Sequence, residues 1–545
     1  MCSSDLGVAG RAEPRAARQP SVGCGPSAGR RFAAAPVVAL LAAALPALAG
    51  CARAAQVPEE SPAAGPPVVA REFRGVWIAT VNNIDWPSAP GLPADSQKAE
   101  LLRILHRAAA LRLNAVILQV RPAADAVYPS ALEPWSEYLT GEMGRPPEPY
   151  YDPLAFAVEA AHARGLELHA WFNPYRARHP SARSPAAREH VSVARPELVR
   201  PYGRHLWLDP GEPAVRAHAL AVVLDVVRRY DVDGIHIDDY FYPYRERDST
   251  GAVIPFPDDA SWARYVAAGG TLSRDDWRRR NVDELVRGLY RAVHGEKPWV
   301  KFGVSPIGIW RPGHPPVPEA CCFDAYREIY ADARKWLAEG WVDYFVPQLY
   351  RPLADTLMNY GILLGWWARE NARGRHLYAG MIPSRVRTEE RPDGWPPEEI
   401  VGQIYVARGH PGVSGHVHFS ARALLRDSLA ERLARTVYRH PALVPPMPWL
   451  GGGRPGAPRA ALAPGPAPGG AMLSLAPGRG TPPRLWVVRA RYGSRWTVEV
   501  LPAARDRVEL TGPAPLEEVA VSAVDRLGNE GPATTIRPAA RTTGQ

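Results

Sequence analysis

Between residues 71 and 440 the chain alternates two kinds of apolar pattern. Short runs rich in β-branched and aromatic residues predict strands over 74–80, 114–121, 166–173, 234–239, 300–307, 343–350, 376–382 and 415–420. Longer stretches with apolar residues every third or fourth position predict helices over 96–111, 153–164, 214–230, 282–293, 331–339 and 398–407. Eight strands with helical stretches between them suit an α/β fold in which a parallel sheet closes into a (β/α)8 TIM barrel better than an open doubly wound sheet. From residue 441 the helical period disappears. Residues 451–484 are rich in Gly, Pro and Ala and predict loop or linker, after which alternation returns over 485–490, 496–501, 508–511 and 518–524. That ending predicts a small all-β fibronectin type III-like sandwich within 441–545.

The strand ends carry the chemistry. Asp233-Gly-Ile-His-Ile-Asp-Asp239 reads as a buried parallel strand that runs into two adjacent carboxylates, which is how a barrel delivers acids to its C-terminal face. Alternation places His236 and Asp238 on one side of the strand, toward the barrel mouth, and Ile235 and Ile237 on the other. Other strands end in Gln119-Val-Arg121 with Asp125 following, in Trp171-Phe-Asn173-Pro-Tyr175-Arg176, in Ser305-Pro-Ile-Gly-Ile-Trp310, in Gln348-Leu-Tyr350 and in His416-Val-His418. Polar and aromatic groups gathered at one rim suit sugars, whose hydroxyls need hydrogen bonds and whose C–H faces stack on rings. The 17 Trp and 21 Tyr favour that reading over a small anionic substrate.

Location is written at the N-terminus. Arg30-Arg31 precedes an apolar run from Phe32 to Leu48, too short for a membrane span and shaped like an export signal. The run ends Leu48-Ala-Gly-Cys51, which resembles the lipobox of bacterial lipoproteins. That resemblance implies a leader over 1–50, lipidation of Cys51, a tether over 51–70 and a membrane anchor, with Ala52 rather than Asp next pointing to the periplasmic face of the outer membrane. Of the formal charge of +9, residues 1–50 supply five Arg against two acids, and no basic tract is interleaved with aromatics, so no nucleic-acid partner is expected. Only Cys321 and Cys322 lie beyond the leader and anchor, and free thiols are expected there; no His/Cys cluster has metal-ligand spacing, plentiful acids leave the metal requirement open, and no cofactor is assigned.

The ordered segments Phe73-Arg-Gly-Val-Trp77 with Asp85-Trp86-Pro, Gln119-Val-Arg-Pro with Tyr128-Pro-Ser, Trp171 to Arg176, Asp233 to Tyr240-Phe-Tyr-Pro243, Phe302 to Trp310 and Val346 to Tyr350 resemble the bacterial glycosyl-hydrolase-like family 10 lipoproteins. The resemblance implies a barrel distantly similar to the α-amylase clan, whose fourth strand carries Gly-x-Arg-x-Asp with the Asp as nucleophile. Gly234-Ile-His236-Ile-Asp238 has that spacing, which implies Asp238 as nucleophile with His where Arg is usual. The clan's strand-five Glu has no counterpart in residues 302–310, so the acid/base is sought among Asp239, Glu328, Asp125 and Asp85.

On this reading Asp238, Asp239 and Glu328 are the candidate catalytic residues, with Asp238 kept ionised by His236 and by Arg121 reaching across. Asn173, Gln348 and Tyr350 would hold hydroxyls, Trp171, Tyr175 and Trp310 would form stacking walls, and Asp125 and Tyr240 complete the expected binding set. The resemblance implies a glycosidase acting on peptidoglycan strands stripped of peptide. A glycan-binding lipoprotein without catalysis and an α-glucan hydrolase are the alternatives.

Overall fold

The structure, a computed structural model, describes residues 65–318, 322–467 and 469–538. Eight parallel strands, β1 (Phe73–Ile78), β2 (Ala115–Arg121), β3 (Glu167–Phe172), β4 (Gly234–Ile237), β5 (Lys301–Val304), β6 (Tyr344–Phe345), β7 (His376–Met381) and β8 (Val413–His418), each pair with the next, and β8 pairs with β1 to close the barrel. All eight predicted strands form. The regular ladder in β4, β5 and β6 is shorter than the apolar pattern predicts; beyond Val304 and Phe345 pairing continues only as the isolated bridges Ile307–Gln348 and Gln348–Gly380.

Helices α1 (Ala94–Ala110), α2 (Pro153–His162), α3 (Pro213–Arg229), α4 (Arg274–Glu296), α5 (Ala333–Glu339), α6 (Tyr360–Glu370) and α7 (Pro397–Gly409) cover the outside. Their starts follow local chemistry: Asp152 accepts the amides of Leu154 and Ala155 ahead of α2, and Ser273 accepts that of Asp276 ahead of α4. The polar first turns of α4 hid its true start. Helix α6 escaped the periodicity because its Leu-Leu-Gly-Trp-Trp stretch is apolar with little amphipathic bias, and Leu363, Leu364, Trp366 and Trp367 are all buried.

Strand alternation sorts the core into two layers. Ile235 and Ile237 point outward into the helix-facing layer with Val116, Leu118 and Leu168, while Phe73, Trp77, Ile117, Trp171, Tyr344, Tyr378 and Val417 fill the barrel interior. Aromatic rings do most of the filling; Phe73 stacks on Tyr378 with centroids 4.3 Å apart. Such rings demand bare backbone opposite them. A Cβ on Gly303 would sit 2.0 Å from the Tyr344 ring and one on Gly234 2.5 Å from His169, so the glycine that opens the Gly-Ile-His-Ile strand is a packing requirement. Gly303→Ala is expected to lose about 1–3 kcal/mol through overpacking, seen as a lower denaturant midpoint with unchanged slope.

Beyond the barrel, seven strands form two antiparallel sheets: β9 (Arg459–Pro464), β10 (Ala471–Ala476) and β13 (Arg507–Leu510) in one, and β12 (Arg495–Pro502), β11 (Leu485–Tyr492), β14 (Leu516–Val524) and β15 (Thr534–Ile536) in the other. The arrangement is the expected fibronectin type III-like sandwich, with Leu473, Trp486, Val488, Val519 and Val521 between the sheets. Strands β9 and β10 correct the linker expected over 451–484. Their Gly- and Pro-rich surroundings masked a weak alternation that buries Leu473 and Leu475.

The sandwich docks on the N-terminal end of the barrel. Arg526 makes a two-pronged contact with Asp231 at 2.7 and 3.0 Å, and Arg484 reaches Asp233 at 3.3 Å, just ahead of β4. The sandwich thus lies at the end opposite to Asp238 and Asp239. Cys322 is disulfide-bonded, which corrects the expected free thiol. Cys51 lies outside the described residues, as does Cys321.

Candidate active site

Asp238 and Asp239 follow the last ladder residue of β4 and are both buried. The Asp238 carboxylate is held from the end of β3. Its Oδ2 accepts from the Trp171 indole at 3.0 Å and from the Asn173 side-chain amide, while Oδ1 receives only a long 3.3 Å contact from the Tyr240 amide. Asp239 is held from the other side: Gln348 Nε2 donates to Oδ1 at 2.8 Å, and the Tyr244 hydroxyl donates to Oδ2. Burial and the neighbouring Asp239 charge push Asp238 up to about 7, against the pull of Arg176, the Tyr240 amide and Asn173. Burial raises Asp239 as well, against its bonds from Tyr244 and Gln348. Two carboxyls in such surroundings hold one proton between them near neutrality.

His236 lies inside the barrel below Asp238, as alternation predicts, but it does not stabilise that carboxylate. Its Nε2 faces the Trp77 indole N–H at 3.1 Å and the Ser305 hydroxyl at 2.9 Å, and its Nδ1 faces the Tyr344 hydroxyl at 3.1 Å. An indole N–H only donates, so Nε2 must accept and the ring proton sits on Nδ1. Tyr344 then receives from His236 and donates to His169 Nδ1 at 2.7 Å, and His169 Nε2 donates to Glu167 at 3.1 Å. The chain runs one way, from a pure donor to a carboxylate, and keeps His236 neutral. Burial, with the nearby His169, likewise holds it well below the usual imidazole range.

Arg121 also departs from expectation. It is spent on Glu133, through Nε at 2.8 Å and a second bond from Nη2, and its third bond goes to the Asn173 carbonyl. The cation that acts on the pair is Arg176. Its Nη2 donates to Asn173 Oδ1 at 2.6 Å, its Nε to the Pro122 carbonyl at 2.8 Å, and its guanidinium lies 4.8 Å from the centre of the Tyr240 ring. Gln119 Nε2 donates to the same Asn173 oxygen at 2.6 Å, so the Asn173 amide nitrogen is left to point at Asp238. Arg176, Gln119 and Tyr244 were not among the expected site residues. Arg176 closes the Trp171-to-Arg176 segment and Tyr244 ends an aromatic run after the acids, so both carried a positional signal.

The structure thus brings together Asp238, Asp239, Trp171, Asn173, Tyr240, Gln348 and Tyr350, the last sensing the charge of both acids. Others lie apart from the pair. Tyr175 is fully buried in the layer between strands and helices. Trp310 is buried against α6, stacked on Trp366 at 6.3 Å and edge-on to Tyr326, so neither ring forms a stacking wall. Glu328 accepts the Asp324 amide at 3.0 Å and closes its own helical turn. Asp125 is fully buried, bound to the Ala123 amide at 2.7 Å and raised by burial to about 6. Asp85 ties β1 to β8 by accepting from Ala79 at 2.8 Å and Ser420 at 2.6 Å. Among the described residues no group of three His, Cys, Asp or Glu side chains is placed to hold a metal ion.

Residues 72–394 match the family model described as glycosyl hydrolase-like 10. The chain belongs to that family. It is 41% identical over 397 residues to glycosyl hydrolase YngK of Bacillus subtilis, covering 71% of this chain and 76% of that one. To glycosyl hydrolase DigH of Escherichia coli K12 it is 35% identical over 375 residues, covering 64% of this chain and 82% of the relative. Among solved structures, the glycoside hydrolase domain of PgaB (BpsB) from Bordetella bronchiseptica aligns over 66% of this chain and 98% of its own, at 14% identity and a TM-score of 0.44. Family membership and these hydrolase relatives support a glycosidase-like function with a carbohydrate substrate.

Proposed function

We propose that this family member is a cell-envelope glycosidase that cleaves peptidoglycan glycan strands from which the peptides have been removed. The observation that carries the reading is the Asp238-Asp239 pair, two buried neighbouring carboxyls at the C-terminal rim of a closed barrel. Glycosidic cleavage passes through an oxocarbenium-like state and needs one protonated and one ionised carboxyl, which this pair provides from a single strand end. Tyr240, Tyr244, Gln348 and Tyr350 are partly exposed around it and supply rings and amides for a sugar. The lipobox-like Leu48-Ala-Gly-Cys51 supports an anchor on the periplasmic face of the outer membrane, where cell-wall glycan is the nearest polymer.

The test is release of reducing ends from denuded strands and from an α-glucan, side by side, across pH 4–8. Release from the strands alone supports the reading, and release from the α-glucan alone moves the substrate to that polymer. No release from either hands the site to the second reading, a glycan-binding lipoprotein. What favours that second reading is β5, whose end presents Ser305 to His236 where the α-amylase clan has its Glu.

The shared proton also sets the pH profile. Burial raises both acids, so the pair keeps its one proton to higher pH than ordinary carboxyls do, and kcat/KM on the cleaved glycan is expected to fall on the alkaline side as that proton is lost. A profile flat from pH 6 to 9 removes the pair from the acid's role.

A further inference from the structure

We propose that the nucleophile at this centre belongs to the substrate: the 2-acetamido group of the sugar whose bond is cut closes on its own C1, with Asp238 receiving the acetamido N–H and Asp239 protonating the leaving oxygen. The inference rests on the glycosidase reading above and narrows its substrate to 2-acetamido-2-deoxy sugars.

Three observations converge on it. First, an enzyme nucleophile and its acid must flank the sugar, about 5–5.5 Å apart for retention and 6.5–9.5 Å for inversion. Here the two carboxyls are consecutive residues at the end of one strand, and residues 302–310 of β5 and the loop after it contain no acid to stand across from them. Second, the oxygens of the pair are unequally occupied. Asp238 Oδ2 already accepts from Trp171 and Asn173, and both Asp239 oxygens accept a bond, while Asp238 Oδ1 has only the 3.3 Å contact from the Tyr240 amide. That oxygen is an acceptor awaiting a donor, and an acetamido N–H is one. Third, Tyr350 stands partly exposed beyond the end of β6, two residues after Gln348, which bonds Asp239, and burial followed by the charges of Asp239 and Asp238 keeps its hydroxyl protonated and able to donate. Donating to the acetamido carbonyl, it would turn that oxygen toward C1. The neutral His236 fits the same scheme, because a cation beneath Asp238 would weaken it as a proton acceptor.

The carbonyl oxygen forms a bond to C1 as the bond from C1 to the leaving oxygen breaks. The Asp239 proton goes to the leaving oxygen, and the acetamido proton passes to Asp238, leaving a neutral oxazoline. Water then adds to C1 and gives its proton to Asp239. The oxazoline C1–O bond opens, the Asp238 proton returns to nitrogen, and the pair is restored with configuration retained.

The experiment uses the full chain on three preparations of denuded strands: N-acetylated, chemically de-N-acetylated and N-trifluoroacetylated, with a thiazoline derived from N-acetylglucosamine as inhibitor. Release is expected to drop by about 100-fold or more on the two altered strands, since the internal nucleophile is removed or weakened, and the thiazoline is expected to compete with substrate. Equal cleavage of de-N-acetylated strands, or a glycosyl adduct on Asp238 trapped from a 2-fluoro sugar, overturns the inference and leaves the hydrolase reading standing. Absence of cleavage on all three overturns both.

Discussion

Asp238→Asn is expected to be inactive and yet more stable than the wild-type protein. Loss of activity follows because Asn neither holds the shared proton nor accepts one, and removal of such a group costs about 10³-fold in kcat/KM. The gain in stability follows from the sign of the linkage. An Asp whose folded pKa is raised from 3.8 to about 7 costs stability at any pH above 3.8, increasingly up to about 7, because the folded state resists losing a proton that the unfolded state gives up. Asn removes that cost with little structural loss. Its oxygen can keep the bonds from Trp171 and Asn173, and its nitrogen takes the place of Oδ1, where only the long Tyr240 contact exists. Thermal unfolding is expected to show the variant ahead of wild type by a few degrees at pH 8 and by nothing at pH 4, while reducing-end release disappears at both. A variant that is inactive and also less stable at pH 8 would instead make Asp238 a structural residue. The pairing of lost activity with gained stability separates the two readings, because a residue selected for packing does not improve the fold when it is replaced.

The fold was legible because barrel strands obey a local rule. Each buries both faces, so Val116 to Val120 or Ile235 to Ile237 read as strand without knowledge of any neighbour. The acids were legible for the same reason, since they interrupt an apolar run where it ends. What escaped depends on residues far apart in the chain. The sequence places His236 beside Asp238 as a group that keeps it ionised, but Trp77, 159 residues earlier, fixes its proton and turns it to other partners. Arg121 looked free to reach the site until Glu133, in the following loop, claimed it. Tyr175 and Trp310 sit in the right segments, but which way a loop aromatic faces is decided by the helices it meets, and both turned outward into the layer against them. Residues 459–476 failed for another reason: Gly and Pro in the turns dominated the composition, and the alternation between them is carried by few residues of any size.

Glu133→Ala is expected to be the most destabilising single substitution at the rim. Arg121 and Glu133 are both almost fully inaccessible, with side-chain exposures of 1% and 2%, and Glu133 also bonds His218 at 2.8 Å. Burial alone would raise Glu133, yet the Arg121 charge and the bonds from His218 and Arg121 outweigh it and hold the carboxyl at about 2. Two routes give the size. Stripping one member from a buried pair leaves the other charge uncompensated at about 3–5 kcal/mol. Linkage from 4.5 to about 2 gives about 3 kcal/mol at neutral pH. Because the folded pKa is the lower one, this stabilisation is complete above pH 4.5 and is lost as pH falls toward 2. The gap between wild type and variant in urea unfolding is therefore expected to be widest at pH 6–7 and to close in acid. A gap that persists unchanged at pH 3 would assign the loss to packing. The consequence extends to the chemistry, since Arg121 also holds the Asn173 carbonyl and the Asn173 side chain holds Asp238. Activity in the variant should fall at temperatures where the fold is still intact.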